Sequence, residues 1–250
     1  MSTFALQARA VSKRFGAVAA AQDLNVAVPV GAIYGLIGSN GAGKTTFVNM
    51  VTGYIKPDSG SIECVGRDIT ALKPREIARI GVCRSFQIPQ LCIGLSMLDN
   101  LQVALSINAS TGASFWRRAA VSVERERALE ILEQFQIAEH RDRLIPELSN
   151  GDRKLLDIAM AMAGRPKVML LDEPTSGVAA DEKFPIMDRV IEALTASAVT
   201  VLFVEHDMSV VTRYAQRILA FYDGRIIADD APDEVLADPE VQRYVTGTLR

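Results

Sequence analysis

Apolar and polar residues keep one period at the start of this chain, a second in its middle and a mixture of the two afterwards. Leu6–Val11 and Leu24–Val28 alternate and carry β-branched side chains, which predicts strands with one buried face. Pro29-Val30-Gly31 reads as a turn, Ala32–Ile37 as a short buried strand and Lys44–Thr52 as the helix that follows. Asp58-Ser59-Gly60 reads as another turn, leading to a strand over Ser61–Val65. From Ser96 to about Ala138 the period becomes helical. Leu98, Leu101 and Leu105 recur at helical spacing, and so do Leu129, Leu132 and Phe135. Ser96 is placed to cap this region, with Asp99 three positions on. The run Glu124-Arg125-Glu126-Arg127 predicts a solvated helix face. Strand and helix then alternate: Val168–Leu171, a helix near Phe184–Thr195, and Thr200–Val204. Tyr222-Asp223-Gly224-Arg225 predicts a hairpin turn between two last strands. The architecture expected is an α/β core, interrupted by a helical insertion and edged by antiparallel strands.

Composition narrows the function classes. Hydrophobic residues make up 49% and charged residues 23%, ordinary for a globular chain, and the formal net charge is -3. No basic excess points to nucleic acid. The most apolar runs, Val168–Leu171 and Val201–Val204, are strand-length, so no membrane span is expected. The first residues lack the charged-then-apolar pattern of a signal peptide. Cys64, Cys83 and Cys92 show no Cys-x-x-Cys spacing and are expected to be reduced thiols rather than zinc ligands.

The sharpest chemical signal lies between the predicted strand and helix. Gly38-Ser39-Asn40-Gly41-Ala42-Gly43-Lys44-Thr45 fits the Walker A phosphate-loop pattern in full, in the strand-to-helix context the pattern requires. Glycines let backbone N–H groups approach phosphates, and the helix N-terminus adds partial positive charge. Lys44 would reach the β- and γ-phosphates, Thr45 would ligate Mg²⁺, and Thr46 lies beside it. A second element fits the first. Val168–Leu171 runs into Asp172 and Glu173, where Asp172 would hold Mg²⁺ and Glu173 would polarise a water as general base.

Three further motifs carry a family resemblance. Leu148-Ser149-Asn150-Gly151-Asp152 resembles the Leu-Ser-Gly-Gly-Gln signature of ATP-binding cassette (ABC) ATPases, and it stands between the helical region and the acidic strand. Gln87 occupies the place of that family's Q-loop glutamine, and His206 that of its switch histidine. Asp172-Glu173-Pro174-Thr175-Ser176-Gly177 completes the order. The resemblance covers essentially the whole chain. It implies a P-loop NTPase core with an antiparallel β subdomain, roughly 1–93 and 166–250, and a helical subdomain, roughly 94–165. It also implies a shared site. Two cassettes pack head to tail, so that Ser149 and Gly151 would complete the partner's ATP. Glu173 and His206 would be the catalytic pair. Gln87 would join Thr45 and Asp172 around Mg²⁺, and Phe15 would stack on adenine. Two departures stand out. Asn150 and Asp152 replace Gly and Gln of the signature, and Ala179 replaces the polar residue usual in the loop after the acidic strand.

Finer matches point to a branch. Ile77–Val82, Arg84-Ser85-Phe86-Gln87, Val204–Met208 and Ala231–Leu236 resemble the ATPases of branched-chain amino acid importers. That resemblance implies a second ABC ATPase subunit, two membrane permeases and, indirectly, a solute-binding protein as partners. The chain would then sit on the cytoplasmic face of the inner membrane, held there by the permeases. Residues 88–101 would form the groove for a permease coupling helix. The competing class is a soluble ABC ATPase acting on DNA or ribosomes. The compact helical insertion and single cassette disfavour it. A phosphate-transferring kinase would leave Ser149–Asp152 unexplained.

Overall fold

The alternation near the N-terminus becomes a long hairpin. The computed structural model describes residues 3–85, 90–109 and 117–247. Strands β1 (Phe4–Phe15) and β2 (Val18–Pro29) pair antiparallel. After β3 (Ile33–Gly38) and α1 (Lys44–Val51), β4 (Ser59–Cys64) and β5 (Arg67–Asp68) complete a four-stranded sheet of order β2-β1-β4-β5. These antiparallel strands form a sheet of their own, in keeping with the expected antiparallel β subdomain. The expected turn at Asp58-Ser59-Gly60 is corrected too: β4 begins at Ser59 and Gly60 lies inside it. The Asp58 carboxylate accepts from Arg14 N at 2.8 Å and Lys13 Nζ at 2.6 Å, which ties the start of β4 to β1.

The second sheet is the core. Helix α2 (Pro74–Ile80) precedes β6 (Val82–Ser85), the helical region follows, and then come β7 (Val168–Asp172), α6 (Lys183–Ala196), β8 (Thr200–Val204), α7 (Met208–Tyr214), β9 (Arg217–Tyr222) and β10 (Arg225–Asp230). The order is β10-β9-β3-β8-β7-β6, parallel except for β10. Both faces are covered, so the central strands read as continuous apolar runs. Their alternation divides the interior in two. Ile33, Ile37, Met169, Leu171, Val201 and Phe203 join the helical side. Tyr34, Leu36, Val168, Leu170, Leu202 and Val204 join α1 and the four-stranded sheet. The β9–β10 turn has φ of 46° at Asp223 and 72° at Gly224. Those two positive values are what a type I′ hairpin turn demands.

The helical region is built from several elements. It holds α3 (Met97–Ala109), α4 (Arg117–Gln134), two short 3-10 turns and α5 (Asn150–Met162). Ser96 caps α3 as expected: its Oγ accepts from Asp99 N at 3.1 Å and donates to Asp99 Oδ2 at 2.6 Å. Leu98, Leu101, Leu132 and Phe135 are buried. The charged run is only partly solvated. Arg125 and Glu126 are exposed, whereas Glu124 is half-buried and accepts from Ser106 on α3 at 2.8 Å. The buried Asn100 fastens the segment before α3, accepting from Cys92 N and donating to Cys92 O and Ser96 O. Gln90 N donates to Asp157 on α5. Cys64, Cys83 and Cys92 are free, and burial pushes the Cys64 and Cys83 thiols up to about 11. No helix among the described residues is long and apolar enough to cross a membrane. The last helices are α8 (Pro232–Ala237) and α9 (Pro239–Val241), continued by a π turn through Thr246.

Candidate functional site

The phosphate loop is held open by its neighbours. β3 stops at Gly38, α1 starts at Lys44, and the residues between turn on glycine conformations. Gly43, the N-cap, has φ 108°, and a Cβ there would lie 2.7 Å from the Ala20 carbonyl oxygen. Gly38, at φ 148°, abuts the Phe221 backbone in the same way. The β9–β10 turn buttresses the loop: Gly224 N donates to Ala42 O at 3.0 Å, and Gln22 N on β2 donates to Gly224 O at 2.7 Å. Ala42 is buried, Ser39, Asn40, Gly41 and Thr45 are exposed, and Thr46 is half-buried. No side chain caps α1 and no acidic residue stands in its first turn. Lys44 is buried and folds onto its own loop, donating to Gly38 O at 2.6 Å and Ser39 O at 3.0 Å. Burial pushes its ammonium below the ordinary lysine range, while Glu173 and Asp172 oppose that shift.

Parallel pairing brings the acidic strand alongside. β3, β8 and β7 are consecutive in the sheet, so Gly38, Asp172 and the residues after Val204 emerge at one rim. Glu173 has φ 47°, a left-handed conformation uncommon for a non-glycine residue. Its N–H donates to Val204 O at 3.0 Å, and its Oε1 lies 3.3 Å from His206 Nε2. The strained backbone therefore aims a carboxylate at an imidazole from the next strand. Both remain accessible, with side chains 23% and 48% exposed. Asp172 is paired with Arg84 of β6.

Sequence reasoning missed what fixes this pair. Glu205, 4% exposed, accepts from Thr175 Oγ1 at 2.6 Å, Thr175 N at 2.9 Å and His206 N at 3.1 Å. Asp207 caps α7 through Ser209 N and pairs with Lys183 at 2.8 Å. The Lys183 hydrogen bond, chiefly, holds the Asp207 carboxyl down at about 2. Lys154 on α5 is 2% exposed, with its Nζ 3.4 Å from Asp172 O. A lysine on the apolar face of an amphipathic helix was the available signal for it. Glu205 carried none, because a carboxylate after a buried strand usually marks a turn.

The signature turn is built differently. Ser149 is the N-cap of α5, which starts at Asn150. Its Oγ accepts from Asp152 N at 3.0 Å and donates to Asp152 Oδ2 at 2.9 Å. Asn150 Nδ2 donates to Gly177 O at 3.3 Å, reaching the loop after β7. Gly151 is buried, and a Cβ on it would come 2.5 Å from Ile186 Cδ1.

Phe15 stands at the tip of the β1–β2 hairpin, paired with Val18. Both are exposed, at 49% and 65%, and the same hairpin puts Ala20 against Gly43. An apolar platform thus lies near the loop. Gln87 falls outside the described residues. Thr45 and Asp172 offer hard oxygen donors. Among the described residues no three His, Cys, Asp or Glu side chains cluster to hold a metal. That donor set suits Mg²⁺, which keeps several waters and phosphate oxygens and takes few protein ligands.

The ABC transporter family model matches residues 21–176. A high-affinity branched-chain amino acid transport ATP-binding protein, LivG of Salmonella typhimurium, is 34% identical over 254 residues, covering 99% of each chain. A probable LivG of Archaeoglobus fulgidus is 34% identical over 247 residues, 97% of this chain and 95% of its own. A crystal structure of the ADP conformation of an ABC transporter's ATP-binding cassette superposes with TM-score 0.83 at 29% identity, covering 97% of this chain and 98% of its own.

Proposed function

The chain belongs to the ABC transporter family, and from that premise we propose that it is the ATP-hydrolysing subunit of an importer for branched-chain amino acids or a related small polar solute. One observation carries the reading: Lys44, Asp172, Glu173 and His206 converge at one rim of the parallel sheet, where such folds bind ligands. Loop N–H groups and Lys44 bind the phosphates, and the Phe15 ring takes the adenine. Thr45, Asp172 and Gln87 would hold Mg²⁺, which would supply positive charge against the phosphates. Glu173 takes a proton from the attacking water, and His206, fixed by Glu205, orients it. Ser149 and Gly151 serve the nucleotide of a second ABC subunit.

The lobes 1–93 with 166–250 and 94–165 move against each other as that dimer closes. Two permeases receive the motion and hold the chain at the cytoplasmic face of the inner membrane. Their coupling helices meet the segment around Ile93, which is 68% exposed, and a cleft of about 550 Å³ between α2 and α4 lined by Ala78, Arg79, Leu105 and Arg127. The test is Glu173→Gln. Nucleotide affinity should stay near wild type while hydrolysis falls on the order of 10²- to 10⁴-fold. Turnover at the wild-type rate would exclude Glu173 as the base.

A further inference from the structure

Arg84 joins two sides of the metal-donor set. It stands on β6, and its Nη2 donates to Asp172 Oδ2 at 2.5 Å. Its Nη1 donates to Asn49 Oδ1 at 2.7 Å. Asn49 lies four residues after Thr45 on α1, so the two share a helix face. The guanidinium therefore spans from the helix that presents the Thr45 hydroxyl to the strand that ends in Asp172. The Arg84 and Asp172 side chains are 10% and 19% exposed. Water screens such a pair less than it screens one at the surface.

We propose that Arg84 is a built-in counter-cation that competes with the divalent ion for Asp172. It keeps the carboxylate neutralised and aimed, at the expense of metal affinity. The inference rests on the reading of Asp172 as a metal ligand. A carboxylate has two oxygens. Oδ2 is taken by Arg84, so an incoming dication must either share Asp172 with a positive charge or displace it. The same pair explains how a shielded acid can stand at this rim before a cation arrives. Once the dication is bound, the charge that Arg84 supplied becomes redundant. The guanidinium is held by Asn49 as well, so it stays beside the ion and repels it.

Mn²⁺ serves as the paramagnetic probe. It is titrated into the full-length protein with saturating ADP, and free Mn²⁺ is read by electron paramagnetic resonance. Arg84→Met is expected to bind Mn²⁺ about tenfold more tightly than wild type, equivalent to about 1.4 kcal/mol. Arg84→Lys retains the charge and should stay within about threefold of wild type. Damage to the fold alone would not tighten binding. Asp172→Asn is the control and should weaken Mn²⁺ binding. If it does, and a folded Arg84→Met binds Mn²⁺ no more tightly than wild type, the inference is overturned while the metal assignment stands. If Asp172→Asn changes nothing, the metal assignment falls and takes the inference with it. Where circular dichroism finds Arg84→Met unfolded, Arg84→Gln, which can still donate to Asn49, carries the same expectation and the same outcomes.

Discussion

The N-termini of α1 and α5 are both candidate anion sites, yet they are built in opposite ways. At α1 the N-cap is a left-handed glycine, no side chain bonds the free N–H groups and the first turn has no acid. At α5 a serine caps the helix and an aspartate in the first turn holds that serine's hydroxyl. A free helix N-terminus carries partial positive charge and unsatisfied donors. α1 leaves them for a phosphate. α5 satisfies part of its own, so under the proposed shared site a partner's phosphate would have to compete with Ser149 and Asp152. α7 is a sealed extreme, capped by Asp207 and tied to Lys183. The lesson is that a helix start binds in proportion to what its own residues leave unmet.

The contrast can be broken at several points. Lys44→Ala should strike function most directly, lowering nucleotide affinity roughly a hundredfold by calorimetry, because charge-assisted bonds from a buried ammonium are lost. Next come two glycines. Gly43→Ala meets a fixed backbone oxygen at positive φ and should destabilise the protein by about 2–4 kcal/mol in denaturant titration. Gly151→Ala meets only the mobile end of Ile186 and should cost about 1 kcal/mol. Equal costs would mean that α5's glycine is as constrained as α1's. Ser149→Ala removes a cap worth about 1 kcal/mol of stability. It should leave monomer nucleotide affinity unchanged, and a loss of that affinity would contradict the shared-site reading.

The smallest effect is on pH dependence. The Asp207 carboxyl is lowered from an ordinary 3.8 to about 2 in the folded chain. Its contribution is fully present above the unfolded value and disappears as pH falls through about 4 to 2. Asp207→Asn should flatten that part of the acid-unfolding curve. An unchanged slope would remove Asp207 from the loop's supports.

Legibility differed between these regions for a physical reason. The phosphate loop could be read because everything it needs is local: eight consecutive residues between a strand and a helix. The strand at Thr200–Val204 and the turn at Asp223-Gly224 were legible for the same reason. Alternation marks the antiparallel strands and the family resemblance implies their subdomain, but neither tells which strand pairs with which, because alternation reports only the buried face. Gly60 looked like a turn residue since glycine's usual meaning is local, whereas here Asp58 ties the strand start to β1 across 44 residues.

Residue order alone thus carries the α/β class, the glycine loop with its lysine, the acidic strand end and the order of motifs that marks the family. Periodicity and turn chemistry act over a few residues, so they survive in one dimension. Long-range packing is what turns Glu173 through a left-handed conformation to meet His206 and lets Glu205 lock the loop behind them. The same packing commits Ser149 partly to its own helix and brings Arg84 across 88 residues to Asp172. Those contacts follow from strand order and side-chain direction, and neither is fixed until the sheet closes.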